Sequence, residues 1–403
     1  MKVLTLLISI LSISFSVNAQ QNSRILVGST DSLYSETLNE TRRFSVFVPD
    51  NMGEPTNGYP VLYLLDGDNF FQTTVGLITH LNSCGFCPQM IIVGILNTNR
   101  DRDFTPTHYE DPHNISETKN SGGGEQFLTF IEKELIPRIE STYKTLPYRM
   151  FIGHSTGGLT VVNALIKHRD MFNSYVAIDP SMSWHNQKLL KESKMILANT
   201  SFEGKSLFLA IANTMERNMD TTKVKNDSSF SSFHIRSILT LGGYLASNTQ
   251  NQLRFKQKYY EDENHPSIPL IAEYDAFKYL FDFYKFNYYI SDVTESCDPA
   301  MALDLRLDAH YKKASRMLGY TVTPPEELTD QLAFGALHFG NKTLAERLLA
   351  MNVLSYPKNF SVYDTLGDFY SATGDKIKAI AAYNQALLIK DSEEIREKVK
   401  AIR

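Results

Sequence analysis

Residues 149–159, Arg149-Met150-Phe151-Ile152-Gly153-His154-Ser155-Thr156-Gly157-Gly158-Leu159, carry the strongest structural signal in this chain of 403 residues. An apolar run typical of a β-strand ends at Gly153, and helical apolar spacing begins at Leu159. Ser155 lies between them in the pattern Gly-x-Ser-x-Gly. A chain that turns at once from strand to helix is crowded, so the small residues Gly153 and Gly157 let the two segments pass. We expect a strained Ser155 with an exposed hydroxyl.

Strands and helices alternate on both sides of this turn. Apolar or alternating runs predict strands at 43–49, 60–65, 90–96, 175–179, 206–212 and 254–260. Helical spacing predicts helices at 70–81, 125–143 and 268–286. The polar segment 213–250 is a candidate lid. The alternation predicts an α/β fold with a mainly parallel sheet and helices on both faces.

The character of the sequence changes near residue 296, which divides the chain into an α/β domain at 20–295 and a helical domain at 296–403. After a charged helix at 300–318, the sequence repeats with a period of 34 residues, as units 326–359 and 360–393. This period and its Leu-Gly, Tyr and Ala positions are typical of tetratricopeptide repeats. The helical repeats are a candidate surface for a protein partner or for self-association.

The N-terminus has the features of a secretory signal peptide at residues 1–19. Lys2 precedes an apolar run, and Val17-Asn18-Ala19 offers small residues before a cleavage point after Ala19. The run is shorter than the roughly 20 residues that span a membrane. We therefore expect a periplasmic or secreted protein without a membrane anchor after cleavage.

Composition narrows the classes of partner and cofactor. The formal net charge of −5 argues against nucleic acid, because no basic excess neutralises phosphates. Cys84 and Cys87 have the spacing of redox motifs but precede a strand, which favours a local disulfide or two plain thiols. Cys297 is the third cysteine, and no second pair completes a zinc ligand set. We expect no metal and no cofactor.

A serine becomes a nucleophile only when a base removes its proton. Among ten histidines, His265 follows a predicted sheet strand downstream of Ser155 and precedes the closing helix, so it is the predicted base. His154, beside the serine, is predicted to pack there or to line the pocket, as a substrate-binding residue, rather than to transfer a proton. Five other histidines are expected to be surface or core residues: His168, His185, His234, His310 and His338.

The carboxylate that orients the base is expected after strand 206–212, where Glu216 is favoured and Asp220 is the alternative. Asp179 also follows a strand, but the preceding one, and would need an unusual path to the base. A serine–histidine pair without a strong acid remains an alternative. Two backbone N–H groups are expected to bind an oxyanion, one from Thr156 and one from Gly67 or Asp68.

The motifs together resemble the Putative esterase family of α/β hydrolases, in its branch of siderophore-esterase-like enzymes. The resemblance covers roughly residues 30–290 and rests on Leu64-Leu65-Asp66-Gly67-Asp68, Val93-Gly94-Ile95 with Asn97-Thr98-Asn99-Arg100, Gly153-His154-Ser155-Thr156-Gly157-Gly158 and Asp262-Glu263-Asn264-His265. It implies an α/β-hydrolase fold, Ser155 as nucleophile, His265 as base and an ester substrate. Pro266 departs from the glycine that relatives often carry there, which bears on loop shape.

The resulting hypothesis is a serine carboxylic-ester hydrolase that acts through an acyl-enzyme on a small-molecule ester, with a catecholate trilactone as one candidate. Arg100 and Arg102 are candidates for binding anionic or catecholate groups, or else solvated loop charges. A carbohydrate esterase that releases feruloyl or acetyl groups would use the same catalytic residues. A tetratricopeptide scaffold without enzymatic activity is the third alternative.

Overall fold

The computed structural model describes residues 26–49, 58–110, 118–294 and 302–402. The predicted signal peptide and Cys297 lie outside these residues. The described strands form one sheet of eight, and its strands are β1 (Ser29–Ser35), β2 (Glu40–Phe47), β3 (Tyr59–Leu64), β4 (Ile91–Ile95), β5 (Thr145–His154), β6 (Ser174–Ile178), β7 (Ser206–Ala212) and β8 (Arg254–Tyr260). Every strand predicted from the sequence is present within one or two residues of its expected bounds, apart from 43–49, which is the second half of β2.

The sheet order is β1-β2-β4-β3-β5-β6-β7-β8. β1, β2 and β4 pair antiparallel, and all later neighbours pair parallel. The predicted mainly parallel sheet is thus confirmed, with an antiparallel edge. The carboxyl ends of β5, β6, β7 and β8 lie side by side, which makes this edge the expected place for a site.

Helices cover both faces of the sheet, as the apolar runs predict. In the α/β domain they are α1 (Gly67–Ser83), α2 (Arg100–Asp103), α3 (Gly124–Phe130, continued by a π-helical turn at Ile131–Leu135 and by Ile136–Thr142), α4 (Thr156–Lys167), α5 (Trp184–Asn199), α6 (Phe233–Ser247), α7 (Ile268–Leu280) and α8 (Ile290–Val293). Alternate residues of β3 enter different cores: Val61 and Tyr63 pack on one face, and Leu62 and Leu64 on the other. Burial on both faces explains why this strand reads as a continuous apolar run.

The helical region contains α9 (Leu303–Leu318), α10 (Glu326–His338), α11 (Lys342–Ser355), α12 (Phe360–Thr373), α13 (Lys376–Ile389) and α14 (Glu393–Ile402). The pairs α10–α11 and α12–α13 start 34 residues apart, in register with the predicted repeat units. Ala314 and Leu318 of α9 pack into the same apolar cluster as Phe281 of the α/β domain. The helical region is therefore docked on the sheet domain; its assignment as tetratricopeptide repeats stays a prediction.

Cys84 and Cys87 are both free thiols, so the alternative of a local disulfide is wrong. Cys84 is exposed, and Cys87 is buried with its Sγ near the carbonyl oxygen of Ile78. Burial raises the pKa of the Cys87 thiol to about 12. A thiol that stays protonated is a poor redox group.

In the part of the chain that the structure describes, none of the helices combines the length and the apolar character that crossing a membrane requires.

Candidate active site

Ser155 occupies a strained turn between β5 and α4, with φ 60° and ψ −120°. A positive φ is uncommon for a residue with a Cβ and costs on the order of 1–3 kcal/mol. A Cβ at Gly153 would lie 2.4 Å from the carbonyl oxygen of Gly157, so this position requires glycine. Gly157 itself has only ordinary contacts, whereas a Cβ at Gly158 would lie 3.0 Å from Pro180. The close approaches are therefore at Gly153 and Gly158, and the steric role predicted for Gly157 is wrong.

His265 lies in the loop between β8 and α7, where the sequence places the base. Its Nε2 is 3.0 Å from Oγ of Ser155, and its Nδ1 is 2.5 Å from Oδ2 of Asp179. Three residues from the ends of three strands thus form one hydrogen-bonded chain, which we call the Ser155–His265–Asp179 chain. This is the order of contacts that a nucleophile, a base and an orienting carboxylate require.

The prediction of Glu216 or Asp220 as the carboxylate is wrong, and so is the alternative of a pair without an acid. Asp220 accepts the backbone N–H groups of Thr222 and Lys223 in its own loop, and Glu216 is exposed. Asp179 follows β6 directly, with φ 40°. Because β6 is the neighbour of β5 and β7 is one strand further away, a residue just past β6 reaches the base beside Ser155.

The Asp179 carboxylate is fully buried and accepts three hydrogen bonds. His265 and His234 donate to Oδ2, and the backbone N–H of Ala212 donates to Oδ1 at 3.0 Å. Burial by itself raises the pKa of Asp179, but the hydrogen bonds from His234, His265 and Ala212 outweigh it and lower the pKa to about 2. Asp179 is therefore ionised at neutral pH and holds a negative charge against the imidazole of His265.

His234 is a member of the site that the sequence does not reveal. Its Nε2 lies 3.0 Å from Oδ2 of Asp179, although the sequence predicts a surface or core residue.

Among the described residues, Asp179, His234 and His265 are the group whose donor atoms are close enough to hold a metal ion. However, Nδ1 of His265 and Oδ2 of Asp179 are 2.5 Å apart, whereas two tetrahedral zinc ligands lie about 3.3 Å apart. The spacing fits hydrogen bonds better than metal ligation.

The backbone donors predicted for an oxyanion lie at two helix N-termini. Thr156 begins α4 and Gly67 begins α1, and the first N–H groups of a helix have no acceptor within the helix. Helix N-termini carry partial positive charge, which favours an anion there. A Cβ at Gly67 would lie 2.6 Å from the backbone of Gly94, so β4 and α1 approach closely at this point. The carboxylate of Asp68 accepts the backbone N–H of Asn97 and thereby fixes the start of α1.

Arg100 joins these two N-termini. Its guanidinium binds both carboxylate oxygens of Asp66, at 2.7 and 3.0 Å, and donates to Oγ1 of Thr156 at 2.5 Å and to the carbonyl oxygen of His154 at 3.3 Å. Asp66 immediately precedes Gly67. A planar guanidinium with this many partners holds its neighbours in a defined geometry. The side chain predicted to bind substrate, or else to be a solvated loop charge, is instead occupied by hydrogen bonds that link the starts of α1 and α4.

Arg102 is occupied as well. It donates from Nε to Asp103 at 2.7 Å and from both terminal nitrogens to Glu40, at 3.0 and 2.6 Å. These ion pairs attach the loop after β4 to β2. The structure therefore does not bring Arg102 to the Ser155–His265–Asp179 chain, and its predicted role in substrate binding is not supported by the geometry.

His154 contacts the base rather than an open pocket. Its Nε2 donates to the backbone carbonyl oxygen of His265 at 2.8 Å, and the two rings are 4.5 Å apart. Burial, together with the neighbouring His265, lowers the pKa of His154 to about 4. The ring is therefore neutral at physiological pH, and it holds the His265 loop against the end of β5.

A group of aromatic residues lies at the start of α5, just after the loop that follows β6. Oγ of Ser181 is 3.4 Å from Oγ of Ser155, and one turn later Trp184 packs edge-on against Tyr109. Tyr109 also stacks on His185 at 4.8 Å. His185 and the two residues after it have left-handed backbone angles, and the Nδ1 contact of His185 with Thr107 at 2.8 Å holds this turn. Each left-handed residue other than glycine costs about 1–2 kcal/mol. Strained backbone of this kind is typical of functional loops.

Comparison with known proteins finds similarity to esterases. The model of the family described as "Putative esterase" matches residues 35–229. The ferri-bacillibactin esterase BesA of Bacillus subtilis is 31% identical over 213 residues, which cover 48% of this chain and 73% of that protein. The siderophore enterobactin esterase of Emericella nidulans is 29% identical over 171 residues, 38% of this chain and 55% of that protein.

A solved structure extends the similarity beyond the matched sequence. The IroE-like serine hydrolase from Shewanella oneidensis is 30% identical, with a TM-score of 0.68, and the match covers 81% of this chain and 98% of that one. The matched share of this chain exceeds the share matched by BesA. We conclude that the chain belongs to the Putative esterase family of α/β hydrolases and is a carboxylic ester hydrolase.

Proposed function

We propose that the protein hydrolyses esters through a covalent acyl-enzyme on Ser155. The observation that carries this proposal is the Ser155–His265–Asp179 chain, with contacts of 3.0 and 2.5 Å, at the N-terminus of α4. Oγ of Ser155 attacks the ester carbonyl carbon while its proton passes to Nε2 of His265. The same proton then goes to the departing alcohol, which leaves the acyl group on Ser155.

Water completes the reaction by the reverse sequence of proton transfers. A water molecule attacks the acyl carbon and gives a proton to Nε2 of His265, and this proton returns to Oγ of Ser155 as the acid leaves. Asp179 accepts the Nδ1–H of His265, which keeps the Nε2 lone pair directed at the serine and stabilises the imidazolium that forms. These steps use only protein groups and water.

The negative charge on the carbonyl oxygen is stabilised, in our proposal, by the backbone N–H of Thr156 and by that of Gly67 or Asp68. Preorganised donors of this kind are worth about 10²–10³ in rate each. Arg100 keeps the two helix N-termini in register through Asp66 and Thr156. The hydrogen bond from Nε2 of His154 to the carbonyl oxygen of His265 holds the His265 loop beside Ser155.

For the substrate, we propose a siderophore ester, with a catecholate trilactone as the leading candidate. The relatives BesA and the Emericella nidulans enzyme are named as siderophore esterases, and BesA is 31% identical to this chain over 213 residues. The half-buried group of Tyr109, Trp184 and His185 offers flat surfaces for an aromatic ring one turn beyond Ser181. Aromatic pairs contribute about 0.5–1.5 kcal/mol beyond area burial.

An ester panel tests both parts of this proposal. Wild-type protein and Ser155→Ala are assayed on p-nitrophenyl butyrate, on a catecholate trilactone with and without bound iron, and on feruloyl and acetyl esters. We expect the trilactone to have the highest kcat/KM and Ser155→Ala to lose at least about 10³-fold. Equal, near-zero rates for both proteins would contradict the esterase mechanism. A higher kcat/KM for feruloyl or acetyl esters would instead indicate a carbohydrate esterase.

Export and the role of the helical region also remain proposals. We propose that residues 1–19 are removed on export to the periplasm or medium, which N-terminal sequencing of the fractionated protein would test.

We further propose that helices α10–α13 are tetratricopeptide repeats that bind a protein partner or a second copy of this chain. Light scattering of the full chain at several concentrations tests self-association: a constant monomer mass would rule it out.

A further inference from the structure

Two histidines share one oxygen of the carboxylate in the site. Nε2 of His234 is 3.0 Å from Oδ2 of Asp179, and Nδ1 of His265 is 2.5 Å from the same atom. The two imidazole rings are 5.3 Å apart and nearly perpendicular. A fully buried carboxylate oxygen has room for two donors, and both positions on Oδ2 are filled by histidine.

His234 is held rigidly enough to act as a fixed donor. It lies in the first turn of α6, and this helix is anchored in the core by buried residues that include Ile235 and Ile238. Gln187, the last of the three left-handed residues at the start of α5, donates to Oγ of Ser237 in α6 at 2.9 Å. Donors presented from an anchored helix keep their direction when substrate binds.

We propose that His234 is a positioning residue for the ester hydrolysis described above: its Nε2–H holds Oδ2 of Asp179 on His265 and limits how strongly that carboxylate attracts a proton to His265. The inference rests on the proposed function, because it assigns His265 as the base. Without the second donor, Asp179 keeps only the hydrogen bonds from Ala212 and His265, and more of its charge faces His265. The base would then be less well aligned and would be protonated up to a higher pH.

The direction of this pH effect follows from the groups around His265. Among the described residues, the titratable side chains in contact with it are Asp179 after β6, His154 at the end of β5, and His234 on α6. Hydrogen bonding to an ion disperses its charge, so removal of a donor strengthens the attraction between Asp179 and protonated His265. The acidic limb of the kcat/KM profile reports the protonation of the free base. It should therefore move to higher pH.

The decisive variants are His234→Leu, which removes the donor, and His234→Gln, whose amide nitrogen replaces Nε2. His168→Leu is a matched control, because His168 is as exposed as His234 (27% and 26%) and its Nε2 contacts the carboxylate of Glu125 at 2.9 Å, away from the site. Each full-length protein is assayed on p-nitrophenyl butyrate between pH 5 and 9, and its fold is checked by circular dichroism.

We expect His234→Leu to lose roughly tenfold in kcat at unchanged KM, with the acidic limb of the kcat/KM profile raised by about 0.5–1 pH unit. His234→Gln should recover most of the rate and the wild-type limb, and His168→Leu should match wild type. If His234→Leu does not fold, the His234→Gln profile and the low-field proton resonance of the His265 Nδ1–H still test the contact.

Two outcomes would overturn the inference: a wild-type rate and pH limb in His234→Leu, or equal losses in the Leu and Gln variants. These results differ from failure of the esterase mechanism itself. If the esterase mechanism fails, Ser155→Ala keeps the wild-type rate on p-nitrophenyl butyrate. The overturning results for His234, in contrast, are obtained while Ser155→Ala is inactive.

Discussion

Nε2 of His265 lies 3.0 Å from Oγ of Ser155 although the two residues are 110 positions apart in the sequence. The contact exists because β5 and β8 end at the same edge of a sheet whose later strands are all parallel. Asp179, which accepts a hydrogen bond from His265, directly follows β6, one of the two strands between them.

The carboxylate at position 179 is essential, and the two acids downstream are not. We expect Asp179→Asn to lower kcat by about 10³–10⁴-fold, because the amide no longer holds the reactive tautomer of His265. Glu216→Gln and Asp220→Asn serve as matched controls and should stay within about twofold of wild type. Steady-state kinetics on p-nitrophenyl butyrate distinguishes them. A large loss in Glu216→Gln, with a mild one in Asp179→Asn, would return the acid to the loop after β7.

Arg100 should affect catalysis rather than substrate affinity. Arg100→Met removes the hydrogen bonds to Asp66 and Thr156, so the two helix N-termini lose their link. Loss of an aligned oxyanion donor lowers kcat by about 10²-fold. Arg102→Met, which breaks the ion pairs with Glu40 and Asp103, is the control and should lower stability more than kcat. A rise in KM at constant kcat for Arg100→Met would instead support a direct role in substrate binding.

Glycine at position 153 is a steric requirement. Gly153→Ala places a Cβ 2.4 Å from the carbonyl oxygen of Gly157, so the elbow must shift. Misfit of this kind costs about 1–3 kcal/mol of folding free energy, and we also expect a loss of activity. Gly76→Ala is the contrast, because Gly76 lies in the interior of α1 with open space around it. It should stabilise the protein by about 0.5–1 kcal/mol. Thermal denaturation of both variants measures the difference, and a more stable Gly153→Ala would refute the steric account.

A buried glutamate makes stability depend on pH. Glu273 of α7 is almost fully buried and accepts a hydrogen bond from Oγ1 of Thr74 in α1 at 2.8 Å. Burial raises its pKa to about 8, although the Thr74 hydrogen bond opposes this. In the unfolded chain the pKa is near 4.5. Between these values the folded state binds more protons, so the free energy of unfolding falls as pH rises.

The Glu273→Gln variant tests this prediction, since glutamine is neutral at every pH. The stabilisation that comes from a protonated Glu273 is fully present below about pH 4.5 and is lost as pH rises to about 8. We therefore expect the variant to gain stability relative to wild type as the buffer changes from pH 5 to pH 8. Urea denaturation at both pH values measures it. A constant difference between the two proteins would mean that Glu273 ionises normally in the fold.

Local patterns were sufficient for the class of fold and for two members of the site. The apolar runs and the glycine-flanked serine predict a mainly parallel sheet, and β7 and β8 have the bounds that the sequence indicates. Ser155 and His265 each carry a local signal: one lies in a strand-to-helix turn, and the other follows the last strand. Such signals depend on neighbours in the chain, so they can be read without the tertiary structure.

The remaining members of the site depend on which strands become neighbours. Asp179 reaches His265 because β6 inserts between β5 and β7, and nothing in its local sequence distinguishes it from other acids after a strand. His234 looks like a surface histidine until α6 packs beside the sheet. Arg100 looks free to bind an anion until Asp66 comes within 2.7 Å. The sequence by itself determined the turn, the nucleophile and the base, whereas only the tertiary structure decided their partners, because hydrogen bonds between distant segments depend on the packing of the whole domain.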